Sequence, residues 1–123
     1  MSVRTLDDAL ENRDRLTRRY KAAKRAEWKY MCGDPVYGSR LHTFDKAIRF
    51  FGIEDGDAML SYVERECHDW LGNAPLNIRQ NVLERIDNRC IAIREQNGLP
   101  SFHDPADPNE TNVFIECKRM LGL

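Results

Sequence analysis

NAPLNIRQNVLERIDNRCIAIREQNGLP, residues 73–100, places its apolar side chains at a period that only a helix accommodates. Ile78, Val82, Ile86, Cys90 and Ile93 recur at steps of four, four, four and three, which puts all five on one side of a 3.6-residue turn. A strand would need alternation, and there is none. Asn73 stands where a cap belongs, and Pro75 falls in the first turn, where its missing N–H costs nothing. Asn97-Gly98 followed by Pro100 is a stop signal. The segment predicts a helix over about 74–96.

The same punctuation extends in both directions. Upstream, Glu54, Asp55 and Asp57 supply negative charge and a cap to a helix over about 57–71, with Leu60, Val63, Cys67, Trp70 and Leu71 inward and Gly72 as its stop. Before it, Leu41, Phe44, Ile48 and Phe51 define a helix over about 40–51 that ends at Gly52. Downstream, the proline- and aspartate-rich loop SFHDPADPN leads to Asp107, Pro108 and Glu110 at cap, first and third positions of a helix over about 109–121, with Val113, Cys117, Met120 and Leu121 inward. At the other end, Thr5 and Asp8 form a capping-box pair, acidic residues crowd the first turn, and Gly33 before Asp34-Pro35 stops a helix over about 6–31. No segment alternates as a half-buried strand does. The expected fold is all-α: one domain over residues 1–123, a compact bundle of about five helices with a long basic N-terminal helix.

Composition is consistent with that fold. The chain has 123 residues, 41% apolar and 32% charged, enough to bury a core without disulfides or metal. Its longest apolar stretches, such as Ile91-Ala92-Ile93, fall far short of the roughly 20 residues that cross a bilayer. The opening MSVRTLDD lacks the apolar stretch of a secretory signal, so a cytoplasmic location is expected. Cys32, Cys67, Cys90 and Cys117 are widely spaced, with no C-x-x-C pair, and the last three sit at core positions of their helices. Reduced thiols acting as small hydrophobes account for them.

Charge is distributed far less evenly than the net value of −1 suggests. RDRLTRRYKAAKRAEWKYM, residues 13–31, holds eight of the nineteen basic residues. Residues 13–29 carry a net +6 and residues 53–123 a net −6, so the chain is a charge dipole. At 100° per residue, Arg15, Arg18, Arg19, Lys21, Arg25 and Lys29 fall within about 160° of arc on the first helix. Trp28 lies near the edge of that arc, placed to stack on a base. Leu16, Tyr20, Ala23 and Tyr30 form a narrow packing stripe beside it, interrupted by Glu27. The cationic face spans roughly 21 Å, enough for several phosphates along one strand. A charged face is also what an exposed helix normally shows, and Glu11–Arg15 and Asp14–Arg18 are spaced to pair at i, i+4. Proteins built to hold duplex DNA are usually basic overall, and an acidic body would repel it.

IRFFGIEDGDAMLSYV, residues 48–63, resembles the turn of a helix-turn-helix, with Phe51, Gly52 and Ile53 in the apolar-glycine pattern. The helix that would read bases begins Glu54, Asp55, Gly56, Asp57. Recognition helices meet DNA through their N-terminal residues, so these carboxylates would confront phosphates. The resemblance therefore implies architecture rather than base reading.

Chemistry is sparse. Glu64, His68 and Asp69 share a helix side without a third ligand in register, and His103, Asp104, Asp107 and Glu110 cluster on a loop where capping already explains two of them. His42 has no evident partner. No glycine-rich phosphate loop, nucleophile elbow or paired zinc ligands occur, so no catalytic residue, metal or cofactor is expected. The sequence thus points to a non-enzymatic interaction module, an inhibitor or adaptor of the size found in phage and mobile elements. It would bind a protein or protein complex, one that handles nucleic acid included, through Arg15, Arg18, Arg19, Lys21, Arg25, Trp28 and Lys29. The alternative is a nucleic-acid-binding regulator that grips phosphates with the same helix. The dipole also permits homodimers by head-to-tail or antiparallel association.

Overall fold

Thr5 opens the first helix through the reciprocal bonds its spacing from Asp8 implies. The Asp8 amide donates to Thr5 Oγ1 at 3.2 Å and the Thr5 amide donates to Asp8 Oδ2 at 3.4 Å, satisfying two donors that the helix start would otherwise leave unpaired. This helix, α1, runs Leu6–Cys32, about 40 Å of axis. It belongs to a computed structural model that describes residues 5–99 and 108–123, with side chains from 113 onward in the second segment. Among the described residues the chain forms five α-helices and no strand: α1, α2 (Gly38–Ile48), α3 (Gly56–Asp69), α4 (Leu76–Gln96) and α5 (Pro108–Met120). Short 3-10 turns at Ile53–Asp55 and Leu71–Asn73 flank α3. The chain divides into two compact units, Met1–Ser39 and Arg40–Leu123, the division falling in the first turn of α2.

In the first unit, α1 ends where the Gly33 amide reaches back to the Tyr30 carbonyl at 3.1 Å. Asp34 then folds the chain over its own carboxylate, Oδ1 accepting from the amides of Val36 at 2.8 Å and Tyr37 at 2.9 Å. Gly38 closes the turn with its amide on the Asp34 carbonyl at 2.8 Å. A Cβ at Gly38 would lie 2.2 Å from the Cys32 carbonyl oxygen, so only glycine allows the chain to pass so close to the end of α1.

The second unit is organised on α4. Ile78, Val82, Ile86, Cys90 and Ile93 are all buried, as their spacing predicts. Leu41, Phe44 and Ile48 of α2, Met59 and Val63 of α3, Leu71, and Val113, Cys117 and Leu121 complete the apolar interior. Phe44 stacks on Tyr62 with ring centroids 5.5 Å apart, and α5 packs on both α3 and α4. Three arginines of α4 tie this core to distant backbone and charge. Arg79 donates from Nε to the Ala74 carbonyl at 3.1 Å and from its terminal nitrogen to the Leu121 carbonyl at 2.9 Å. Arg89 donates twice to the Phe51 carbonyl, from Nε at 3.0 Å. Arg85 stands 3.9 Å from Asp45, a nearly buried carboxylate that Arg49 also contacts at 2.8 Å.

Several boundaries differ from the sequence expectation, for physical reasons. α2 stops at Ile48 rather than 51 because the amides of Phe50 and Phe51 reach only the carbonyls of Ala47 and Ile48, while the Phe51 carbonyl is taken by Arg89. In α3, Met59 rather than Leu60 is buried, since it stands four residues before Val63 on the same face. Asn73 does not cap α4: residues 71–73 form a 3-10 turn and Pro75 occupies the cap position, with Arg79 binding the Ala74 carbonyl just ahead of it. The stop after α4 is as expected, with Gly98 at φ 69°.

Replacing Arg79 with methionine should therefore lower unfolding free energy by about 2 kcal/mol, since two half-buried carbonyls lose a charged donor. Lysine should recover less than half of that loss, because one ammonium does not span both carbonyls. Urea denaturation monitored by helical circular dichroism reads both values.

Candidate interaction surface

α1 exposes nearly everything it carries. From Leu6 to Glu27 only Asn12 and Lys24 are even half-buried. Arg15, Arg18, Arg19, Lys21, Arg25 and Lys29 are all exposed, and their positions on a continuous helix put them on one side of it. Arg15 donates to Asn12 Oδ1 at 2.8 Å rather than to Glu11. Asp14 lies 3.6 Å from Arg13 rather than against Arg18. Glu27 is held by Lys24 at 3.4 Å, and the Lys24 ammonium also lies over the Tyr20 ring, 5.7 Å from its centroid. Among the described residues, Arg18, Arg19, Lys21, Arg25 and Lys29 have no carboxylate within ion-pair distance. Their charges repel one another and favour an anionic surface laid along the helix.

Trp28 requires a correction. It is 5% exposed, and with Met31 it forms the buried end of α1. A large ring at the edge of the cationic arc turns inward with the residue three positions on, so it is not placed to stack on a base. The i, i+3 pairing of Trp28 with Met31 just before the Gly33 stop was the signal for this. The packing stripe behaves oppositely: Leu16 is 51% and Tyr20 59% exposed, and both line a shallow open groove with Ala9, Asn12, Arg13 and Thr17.

The remaining candidates for chemistry disperse. Asp69 faces Arg40 at 3.5 Å, and Glu64, His68 and His42 are exposed. Glu54, Asp55 and Asp57 sit at the start of α3, where Asp55 accepts the Gly52 amide at 3.0 Å, so one of the carboxylates of the helix-turn-helix resemblance serves the local turn. His103, Asp104 and Asp107, and the side chain of Glu110, lie outside the described residues. Among the described residues no group of three or more His, Cys, Asp or Glu side chains is placed to hold a metal. An apolar cavity of about 30 Å³ between Met59, Cys90, Ile93 and Val113 has room for one or two waters and is roughly tenfold smaller than ligand pockets. No helix among the described residues is long and apolar enough to cross a membrane. No protein-family model matches the chain, and no curated protein or solved structure is significantly similar to it.

The cysteines occupy packing positions. Cys90 and Cys117 are buried and Cys67 half-buried. Burial, followed by the nearby Cys90 and Cys67 thiols and the Glu116 carboxylate, pushes the Cys117 thiol up to about 12. Burial and then Glu66 and Glu64 raise Cys67 as well. A thiol that resists ionisation is a poor nucleophile and a poor metal ligand. The unfolded chain releases the Cys117 proton near its ordinary value of 9.0 while the folded chain holds it to about 12. Its contribution to stability is therefore complete below pH 9 and lost as pH rises toward 12, at about 1.4 kcal/mol per pH unit. Denaturation midpoints measured from pH 8 to 10.5 should fall more steeply for the wild type than for Cys117→Val.

Proposed function

We propose that this protein is a non-enzymatic, cytoplasmic interaction module that occupies an anionic surface on a protein or protein complex through the cationic face of α1. An inhibitor or adaptor acting on a complex that holds nucleic acid fits this reading, because the phosphates such a complex carries add to its anionic surface. One observation carries the proposal: five cations on the exposed side of α1 lack carboxylate partners among the described residues, whereas the arginines of α4 are engaged in holding the fold. Unpaired charge of one sign accelerates encounter with a complementary surface and fixes the orientation of docking. The acidic residues from Ile53 onward argue against a long duplex as the main ligand, since they add repulsion wherever the duplex extends beyond the helix.

The competing reading, a regulator that grips phosphates through Arg15, Arg18, Arg19, Lys21, Arg25 and Lys29, uses the same face and makes a different measurement. Six phosphate contacts would make log K fall with log salt at a slope of about −5. Mobility-shift titrations with duplex and single-stranded oligonucleotides should show only weak binding that vanishes by about 150 mM salt. Tight binding at that salt, lost in Arg18→Glu/Arg25→Glu, would replace the proposed function with the regulator.

A further inference from the structure

The outward face of α1 changes sign along its length. At 100° per residue, with Arg13 at zero, Asp7, Asp8, Glu11 and Asp14 fall between about 100° and 220°, within the same arc as the cations. Arg13, Lys24 and Glu27 fall outside that arc, on the side of Leu16 and Tyr20. The face therefore reads as four carboxylates over residues 7–14, about 10 Å of axis, then six cations over residues 15–29, about 21 Å, with no charge out of order. All ten of these side chains are exposed. Local needs account for part of the acidic segment: Asp8 serves the cap, and carboxylates in the first turn suit the positive end of the helix dipole. Glu11 and Asp14 lie beyond that turn, and among the described residues Asp7 and Glu11 have no cation within ion-pair distance.

A surface that lies along this face must be acidic opposite residues 15–29 and basic opposite residues 7–14. A phosphate chain matches the second segment alone, and one longer than about 21 Å runs onto the four carboxylates. An α-helix carries the required order naturally, because acidic residues favour its N-terminal end and basic residues its C-terminal end. Laid antiparallel on α1, such a helix sets its acidic part against the six cations and its basic part against the carboxylates, and the two macrodipoles oppose. Laid parallel, it sets like charge against like.

We infer that the partner docks through an α-helix, acidic over its N-terminal two thirds and basic over the rest, held antiparallel along the outward face of α1. It rests on the reading of α1 as a docking face for a protein and adds the partner's charge order and direction. A second copy of α1 fits less well. Its acidic segment is the shorter one, so full antiparallel overlap of the segments leaves Arg15 and Arg18 of the two copies facing each other at the two-fold axis.

Titration of the isotope-labelled full chain, followed by nuclear magnetic resonance at about 50 mM salt, where exposed charges are weakly screened, tests it. The probes are two alanine-based helical peptides of about 22 residues, each spanning about 33 Å. One carries glutamates over its first two thirds and lysines over the rest, and the other carries glutamates throughout. The first should bind about tenfold more tightly, and a spin label at its N-terminus should broaden the amides near Lys29 rather than those near Asp7. Glu11→Lys/Asp14→Lys, which leaves the Thr5–Asp8 cap intact, should reverse the preference, with helix content of chain and peptides checked by circular dichroism. Equal or tighter binding of the all-glutamate peptide to the wild type, or broadening near Asp7, would overturn the inference alone. Concentration-dependent shifts of the α1 amides without peptide would overturn it by assigning the face to a second copy. The proposed function would fall with it if neither peptide bound, if binding were indifferent to Arg18→Glu/Arg25→Glu, or if a single-stranded oligonucleotide bound more tightly than the first peptide at about 150 mM salt.

Discussion

The second unit depends on the single apolar stripe of α4. Ile78, Val82, Ile86, Cys90 and Ile93 present five buried side chains along one line, and each fully buried aliphatic chain contributes about 1.5–3 kcal/mol. Apolar burial alone does not select which turn of α4 meets which neighbour. Arginines beside the stripe do: Arg79 holds the carbonyls at Ala74 and Leu121, Arg85 faces Asp45, and Arg89 holds the carbonyl at Phe51. A guanidinium donates in a fixed fork, so these contacts set register where packing sets only proximity.

That use of arginine gives the cations of α1 their meaning. Both helices are rich in basic residues, and their chemistry diverges with burial. In α4 the guanidinium groups are half-buried or buried, with Arg94 only 2% exposed, and backbone carbonyls or a carboxylate engage Arg79, Arg85 and Arg89. In α1 the cations stand in water, while Asp8 serves the first turn and Asp14 and Glu27 pair locally with Arg13 and Lys24. Solvated pairs of this kind contribute between nothing and about 1 kcal/mol, so stability does not explain the alignment of six cations on one side. The proposed recognition of an anionic surface accounts for it.

Much of this was legible from residue spacing. The four-four-four-three rhythm of α4, the Thr5–Asp8 cap, the Gly98 stop and the burial of Leu41, Phe44, Ile48, Val113, Cys117 and Leu121 follow from local rules that the chain obeys, whereas Phe51 and Met120 are only half-buried. What the rhythm could not reveal depends on partners far along the chain. The early end of α2 accompanies Arg89 binding the Phe51 carbonyl, thirty-eight residues away, and the displacement of the α4 cap from Asn73 accompanies Arg79 binding the Ala74 carbonyl. Trp28 was misread because its angular position lies between two faces, and the inward neighbour Met31 settles which one it joins. On the candidate surface the alignment of the cations on one side of a helix was legible. Their lack of carboxylate partners was not, since i, i+4 spacing offered pairs to Arg15 and Arg18 that the side chains do not make.

The central claim is that the cationic face of α1 docks on a protein surface. Affinity capture from the native cell, with tagged wild type and Arg18→Glu/Arg25→Glu side by side, each with and without nuclease, tests it most directly. The account predicts that the wild type retains a defined protein or complex after nuclease treatment and that the charge-reversed chain does not. Retention that disappears with nuclease, or that survives charge reversal undiminished, would contradict it.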